Sequence, residues 1–114
     1  MTLPATFTPE LLNRLFLQQR TTEETQRSAV LAVELGKLGL AESQSELEGE
    51  FAAVLGSSYV FLDGYPGGAH DSPALWAEND AAIRSTCPWL DDANFAWAVA
   101  KSRYYAWHDG LVAR

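Results

Sequence analysis

Apolar residues recur at helical spacing along most of the chain and predict five helices. The first is expected over residues 9–20, because Thr8 is a good N-cap, Pro9 suits the first turn and Glu10 suits the positive helix end. Its apolar residues then fall on one arc: Leu11, Leu12, Leu15 and Phe16.

The second and third helices follow without a long linker. Thr21 and Glu24 have the spacing of a capping box, and the apolar residues after them cover nearly every side of a helix that ends at Gly36 or Gly39. This pattern predicts a central position for helix two, or alternatively for helix five. A third helix is expected from Ser43 or Ser45 to a stop at Gly56.

Residues 59–62 (Tyr-Val-Phe-Leu) have the composition of a strand, but the segment is short and has no obvious pairing partner. We interpret it as a buried connector, and it is the one very short strand-like segment of the chain. Residues 63–72 form a predicted Gly/Pro-rich loop, since Asp-Gly, Tyr-Pro and Gly-Gly all interrupt regular structure.

Two further helices are predicted after this loop. Ser72-Pro73 repeats the cap-then-proline signal, and Cys87-Pro88 stops the fourth helix. Asp91 or Asp92 caps the fifth, which runs over about 92–109 and carries a broad aromatic surface expected to face the core. The sequence thus predicts an all-α, compact bundle of about five helices.

Composition favours one helical domain over 1–114. The hydrophobic fraction of 47% gives ample apolar surface to bury, and no long polar tract divides the chain. The single cysteine, Cys87, has no partner for an internal disulfide and is interpreted as a small buried hydrophobe. No signal peptide or membrane span is recognisable, so a cytoplasmic location is expected.

The charge is the feature that bears most on partners. The net charge is -7, and residues 23–62 contain seven acids against Arg27 and Lys37. An acidic field repels phosphate backbones and attracts basic proteins, so nucleic acid is not expected as a partner and a basic protein is. The alternative interpretation is that the negative charge contributes only to solubility.

Arg103 interrupts the apolar arc of the fifth helix. Because an unpaired buried charge is costly, we expect a structural ion pair at the core edge, with Asp63 or Asp71 as partner, Glu78 as a further choice, and Trp107 stacked on the guanidinium. Backbone donors in the loop are expected to form an ordered turn, with Asp71 or Ser72 capping the fourth helix.

Arg103 and His108 also have an Arg-x4-His spacing that resembles the motif of HEPN-type helical ribonucleases. The resemblance covers six residues, with Tyr104 where a polar residue often stands, and implies His108 as acid or base and Arg103 as phosphate stabiliser. The pairs His70-Asp71 and His108-Asp109 are similar to HD-type phosphohydrolases, but those need an upstream histidine that is lacking here. No metal or cofactor is expected.

Binding is therefore the leading prediction, and an enzyme the lesser one. We expect a small acidic protein-binding domain, of the inhibitor or immunity type, that neutralises a basic protein partner. A second alternative is a small-ligand-binding helical bundle with the ligand among Trp76, Trp97 and Trp107, and a homodimer stays open as the assembly. The predicted partner surface joins acids to aromatics: Glu42, Glu46, Glu48, Glu50, Tyr59, Tyr65 and Trp89.

Overall fold

The computed structural model describes residues 3–62, 69–70, 73–108 and 112–113, and the side chains of 3–58 and 73–108. It confirms the all-α class with about five helices. The helices are α1 Pro9–Arg20, α2 Arg27–Leu38, α3 Gln44–Leu62, α4 Pro73–Thr86 and α5 Asp92–His108, with 3₁₀ turns at Glu24–Gln26 and Ala41–Ser43.

The chain divides into two compact units, Met1–Phe51 and Ala52–Arg114, and the boundary falls inside α3. The single domain over 1–114 stays a prediction. Each unit has buried apolar residues of its own: Leu12, Leu15, Phe16, Leu31, Leu35 and Leu47 in the first, and Val54, Leu75, Trp76, Ile83, Leu90 and Ala98 in the second.

Helix α1 begins and ends as the sequence predicts. Thr8 caps it, with Oγ1 accepting a hydrogen bond from the Leu11 amide at 3.2 Å, and Pro9 occupies the first turn. Thr21, however, does not open a capping box for the second helix. Its hydroxyl donates to the Leu17 carbonyl at 2.8 Å, so it satisfies the C-terminus of α1, and α2 begins at Arg27 after a 3₁₀ turn.

Helix α2 ends at the predicted glycine. Gly39 has φ 72°, in the left-handed region, and the Leu40 amide donates to the Leu35 carbonyl at 2.8 Å, which is the Schellman arrangement. The central position of α2 stays a prediction, but the helix is not buried on every side. Only Leu31 and Leu35 of this helix are buried, whereas Val33 is 58% exposed and Leu38 43% exposed.

The predicted stop of the third helix at Gly56 is also wrong. Helix α3 continues through Gly56 to Leu62, so residues 59–62 are helical rather than strand-like. A helical glycine costs only about 1 kcal/mol relative to alanine, too little to end a helix by itself. The predicted loop lies outside the described residues except for Ala69–His70, a short strand β1 that pairs in parallel with β2, Val112–Ala113.

Helix α4 runs from Pro73 to Thr86, and Cys87 is fully buried just beyond it, as predicted. Asp91 caps α5, its Oδ1 accepting from the Asn94 amide at 2.8 Å. Between the two helices, the Arg84 guanidinium donates to the Leu90 carbonyl at 2.6 Å and lies 3.8 Å from the centre of the Phe95 ring. These contacts fix the short connection between α4 and α5.

The face that α5 buries differs from the aromatic one predicted. Its buried residues form a stripe of small side chains, here called the small-residue stripe: Asn94, Ala98, Ser102 and Ala106. Phe95, Trp97 and Trp107 are half-buried and Tyr104 is exposed. The reason is that α4 and α5 pack against each other, and a helix contact through small side chains leaves the large rings at its margins.

Candidate functional site

The predicted acidic surface is divided by the geometry of α3. Glu46 and Glu50 are one turn apart and share a side, with Glu46 exposed and Glu50 half-buried. Glu48 is about 200° around the helix from Glu46. Its Oε1 accepts from Ser28 Oγ and from Gln44 Nε2, both at 3.0 Å, so this carboxylate is engaged within the first unit.

An exposed leucine lies at the same corner of the chain as two exposed acids. Leu38 ends α2, Glu42 lies in the 3₁₀ turn that packs against α2, and Glu46 lies in the first turn of α3. We call these three residues the corner surface. Leu38 was missed as a surface residue because its helical spacing was assigned to the core.

The aromatic members of the predicted partner surface are untested. Tyr59 lies in α3, but its side chain is outside the described residues, and so is all of Tyr65. Trp89 is half-buried in the second unit. The seven residues therefore stay a prediction as a set.

Arg103 forms an ion pair, but with an acid other than those expected. Its Nη2 lies 3.6 Å from Oδ2 of Asp80, and its guanidinium lies 5.1 Å from the ring centre of Trp76. Trp76, and not Trp107, therefore supplies the aromatic face for the cation. Asp63 and Asp71 are outside the described residues. Trp76 and Asp80 are four residues apart on α4, a spacing that the sequence already contains.

A cleft of about 570 Å³ opens at this ion pair. Its described lining comes from α4 and α5 alone: Pro73, Trp76, Ala77, Asp80 and Arg103. Asp80 and Arg103 bring opposite charges to this lining, and the other described lining residues, Pro73, Trp76 and Ala77, are apolar. The Arg103 Nε is buried and has no hydrogen-bond partner among the described residues.

Arg103 and His108 are not brought together. Five residues on a helix are about 140° apart, and His108 is not in the described lining of the cleft. The His108 side chain is exposed and its ring stacks on Tyr104, with centroids 5.7 Å apart. This arrangement gives the ribonuclease hypothesis no support.

The three tryptophans of the ligand-binding hypothesis are only partly assembled. Trp76 and Trp107 meet edge to face with ring centroids 6.4 Å apart, next to buried Leu75 and Ala106. Trp97 is half-buried on α5 and does not line the cleft as described. Of the three, Trp76 is the one in the described lining of this cleft.

Comparisons with protein-family models, with curated proteins and with solved structures find no match. In the described part of the chain, no group of three or more His, Cys, Asp or Glu residues is arranged to hold a metal ion. None of the helices searched there is both long and apolar enough to cross a membrane.

Proposed function

We propose that the protein is a small acidic protein-binding domain, of the inhibitor or immunity type, that covers a basic protein partner through the corner surface. The observation that carries this proposal is the exposure of Glu42 and Glu46, which follow closely after Leu38 in the chain; Leu38 is 43% exposed. Carboxylates steer the encounter with a basic protein, and an apolar side chain that becomes buried on contact anchors the complex.

The charge balance supports the same proposal. The first unit contains eight acids and four bases, so its field attracts a cationic partner. Glu34 is already paired with Arg14 at 3.8 Å and with Lys37 at 3.6 Å, and Glu48 accepts the hydrogen bonds of Ser28 and Gln44. Glu42 and Glu46 are exposed and lie close in the chain to the exposed Leu38.

The test is affinity purification from the native cell with three tagged proteins: wild type, the Glu42→Gln/Glu46→Gln variant, and a Glu23→Gln/Glu24→Gln control. The control removes the same charge from two exposed positions, Glu23 before the other 3₁₀ turn and Glu24 within it. We expect a basic protein that wild type and control retain at low salt and that the corner variant loses. Because salt screens charge steering, the amount of partner that wild type retains should also fall as the salt concentration rises.

Equal retention by all three proteins would contradict the proposal, because the corner acids would then contribute nothing to partner binding. Loss of the partner from both variants alike would point to net charge alone. Leu38→Ser adds a second measurement, since a hot-spot leucine is expected to weaken binding by about tenfold or more without changing the salt dependence.

A further inference from the structure

The cleft of the second unit contains no residue of the corner surface, and its chemistry is that of a small-molecule site. We propose that it binds a free zwitterionic α-amino acid with an apolar side chain, the carboxylate on Arg103 and the ammonium on Asp80. This inference goes beyond the proposed protein binding and does not depend on it.

The first argument is the length of the ion pair. Arg103 Nη2 and Asp80 Oδ2 are 3.6 Å apart, whereas hydrogen-bonded charge pairs are about 2.7–2.9 Å apart. The two groups attract each other without using up their donors and acceptors. A guanidinium has five N–H donors, and the described partners of this one are the Asp80 carboxylate and the Trp76 face.

The second argument is charge complementarity. Because Arg103 and Asp80 neutralise each other, a simple anion meets the repulsion of Asp80 and a simple cation meets that of Arg103. A ligand that carries both charges on neighbouring atoms satisfies both residues. An α-amino acid does so, since its ammonium and carboxylate are attached to the same carbon.

The other described lining residues of the cleft are apolar. Pro73, Ala77 and the edge of Trp76 offer no charge to a ligand side chain, so an apolar side chain fits there better than a polar one. The cleft of about 570 Å³ is widely open to solvent, so a small ligand can enter it. Half-exposed Arg103, with 40% of its side chain accessible, can be reached from solvent.

Titration calorimetry with wild-type protein tests the ligand class directly. L-leucine is compared with isocaproate, which lacks the ammonium, and with isoamylamine, which lacks the carboxylate. We expect saturable binding of leucine in the millimolar range or tighter, and binding of each analogue weaker by about tenfold or more, because each leaves one charged residue unpaired. The proposal would be overturned if none of leucine, methionine, valine and phenylalanine shows saturable binding.

The Asp80→Asn variant gives a sharper result. It is expected to bind leucine about tenfold or more weakly and to bind isocaproate more tightly than wild type does, since the repulsion of the carboxylate is removed. Asp92→Asn is the matched control, because Asp92 pairs with Arg84 at 3.8 Å on the same two helices and does not line the cleft as described. Helix content by circular dichroism checks that both variants fold.

An Asp80→Asn variant that binds all three ligands more weakly by the same factor would also overturn the proposal. A purely structural role of the ion pair lowers all affinities together and does not exchange one ligand for another. The corner variant Glu42→Gln/Glu46→Gln should bind leucine as wild type does, so this proposal and the proposed function fail separately.

Discussion

The buried hydrogen bond between Asn79 and Ser102 is expected to be a main determinant of how α4 and α5 pair. The Asn79 Nδ2 donates to Ser102 Oγ at 3.0 Å, and both residues are fully buried. The other described acceptor near this amide, Asp80 Oδ1, is 3.5 Å away, too far for a strong bond. Replacing Ser102 with alanine therefore leaves a buried donor almost without a partner.

The magnitude follows from two opposing effects. An unsatisfied buried donor costs about 1–3 kcal/mol, and the higher helix propensity of alanine returns about 0.5 kcal/mol. Ser102→Ala should thus lower the free energy of unfolding by about 0.5–2.5 kcal/mol. For a chain of this size each kcal/mol lowers Tm by about 4 °C.

Urea unfolding followed by tryptophan fluorescence and by circular dichroism measures this loss. Ser57→Ala is the matched control, since Ser57 is half-buried in α3 and its hydroxyl donates to the Val54 carbonyl at 3.2 Å within its own helix. The control should be close to neutral. The double variant Asn79→Leu/Ser102→Ala removes both polar partners and should recover part of the loss. If Ser102→Ala is as stable as Ser57→Ala, the hydrogen bond does not contribute as argued.

Two further predictions concern backbone and core. Gly39→Ala should destabilise the protein by about 1–2 kcal/mol, because alanine is strained at φ 72°. Gly36→Ala, inside α2 with open space around it, should stabilise the protein by up to about 1 kcal/mol. The melting temperatures of the two variants should therefore shift in opposite directions, and a shift in the same direction would contradict this explanation. Leu35→Ala should lower the free energy of unfolding by about 2–5 kcal/mol, because Leu35 is fully buried. Val33→Ala should change it by less than about 0.5 kcal/mol, because Val33 is exposed. If urea unfolding shows equal losses of free energy for both variants, α2 buries a different face.

Local start and stop signals in the sequence predict several element boundaries. Thr8-Pro9 and Ser72-Pro73 locate the starts of α1 and α4, and Gly39 ends α2 with a left-handed conformation that glycine adopts readily. Thr21 was misassigned because a threonine hydroxyl satisfies amides at one helix end and carbonyls at the other. The sequence alone does not decide between these two roles.

Which face of a helix is buried was harder to predict. A helical wheel weighted by hydrophobicity places the rings of α5 inward, yet a close contact between helices selects Ala98, Ser102 and Ala106 for their size. The same limit applies to the cleft. Arg103 is recognisable as a charge in an apolar arc, but its partner Asp80 belongs to another helix, and pairing across helices depends on their register.

The width of the cleft depends on residues of the small-residue stripe that are not in its described lining. Ser102 bonds to Asn79 of α4, and Ala106 packs with Leu75 and Trp76 of the same helix, so the bulk of these two side chains sets how closely the helices approach. A larger residue at Ala106 would push α4 and α5 apart and increase the distance between Asp80 and Arg103. On α5, substitution by larger residues should therefore be tolerated less well at Ala106 and Ser102 than at the exposed Tyr104.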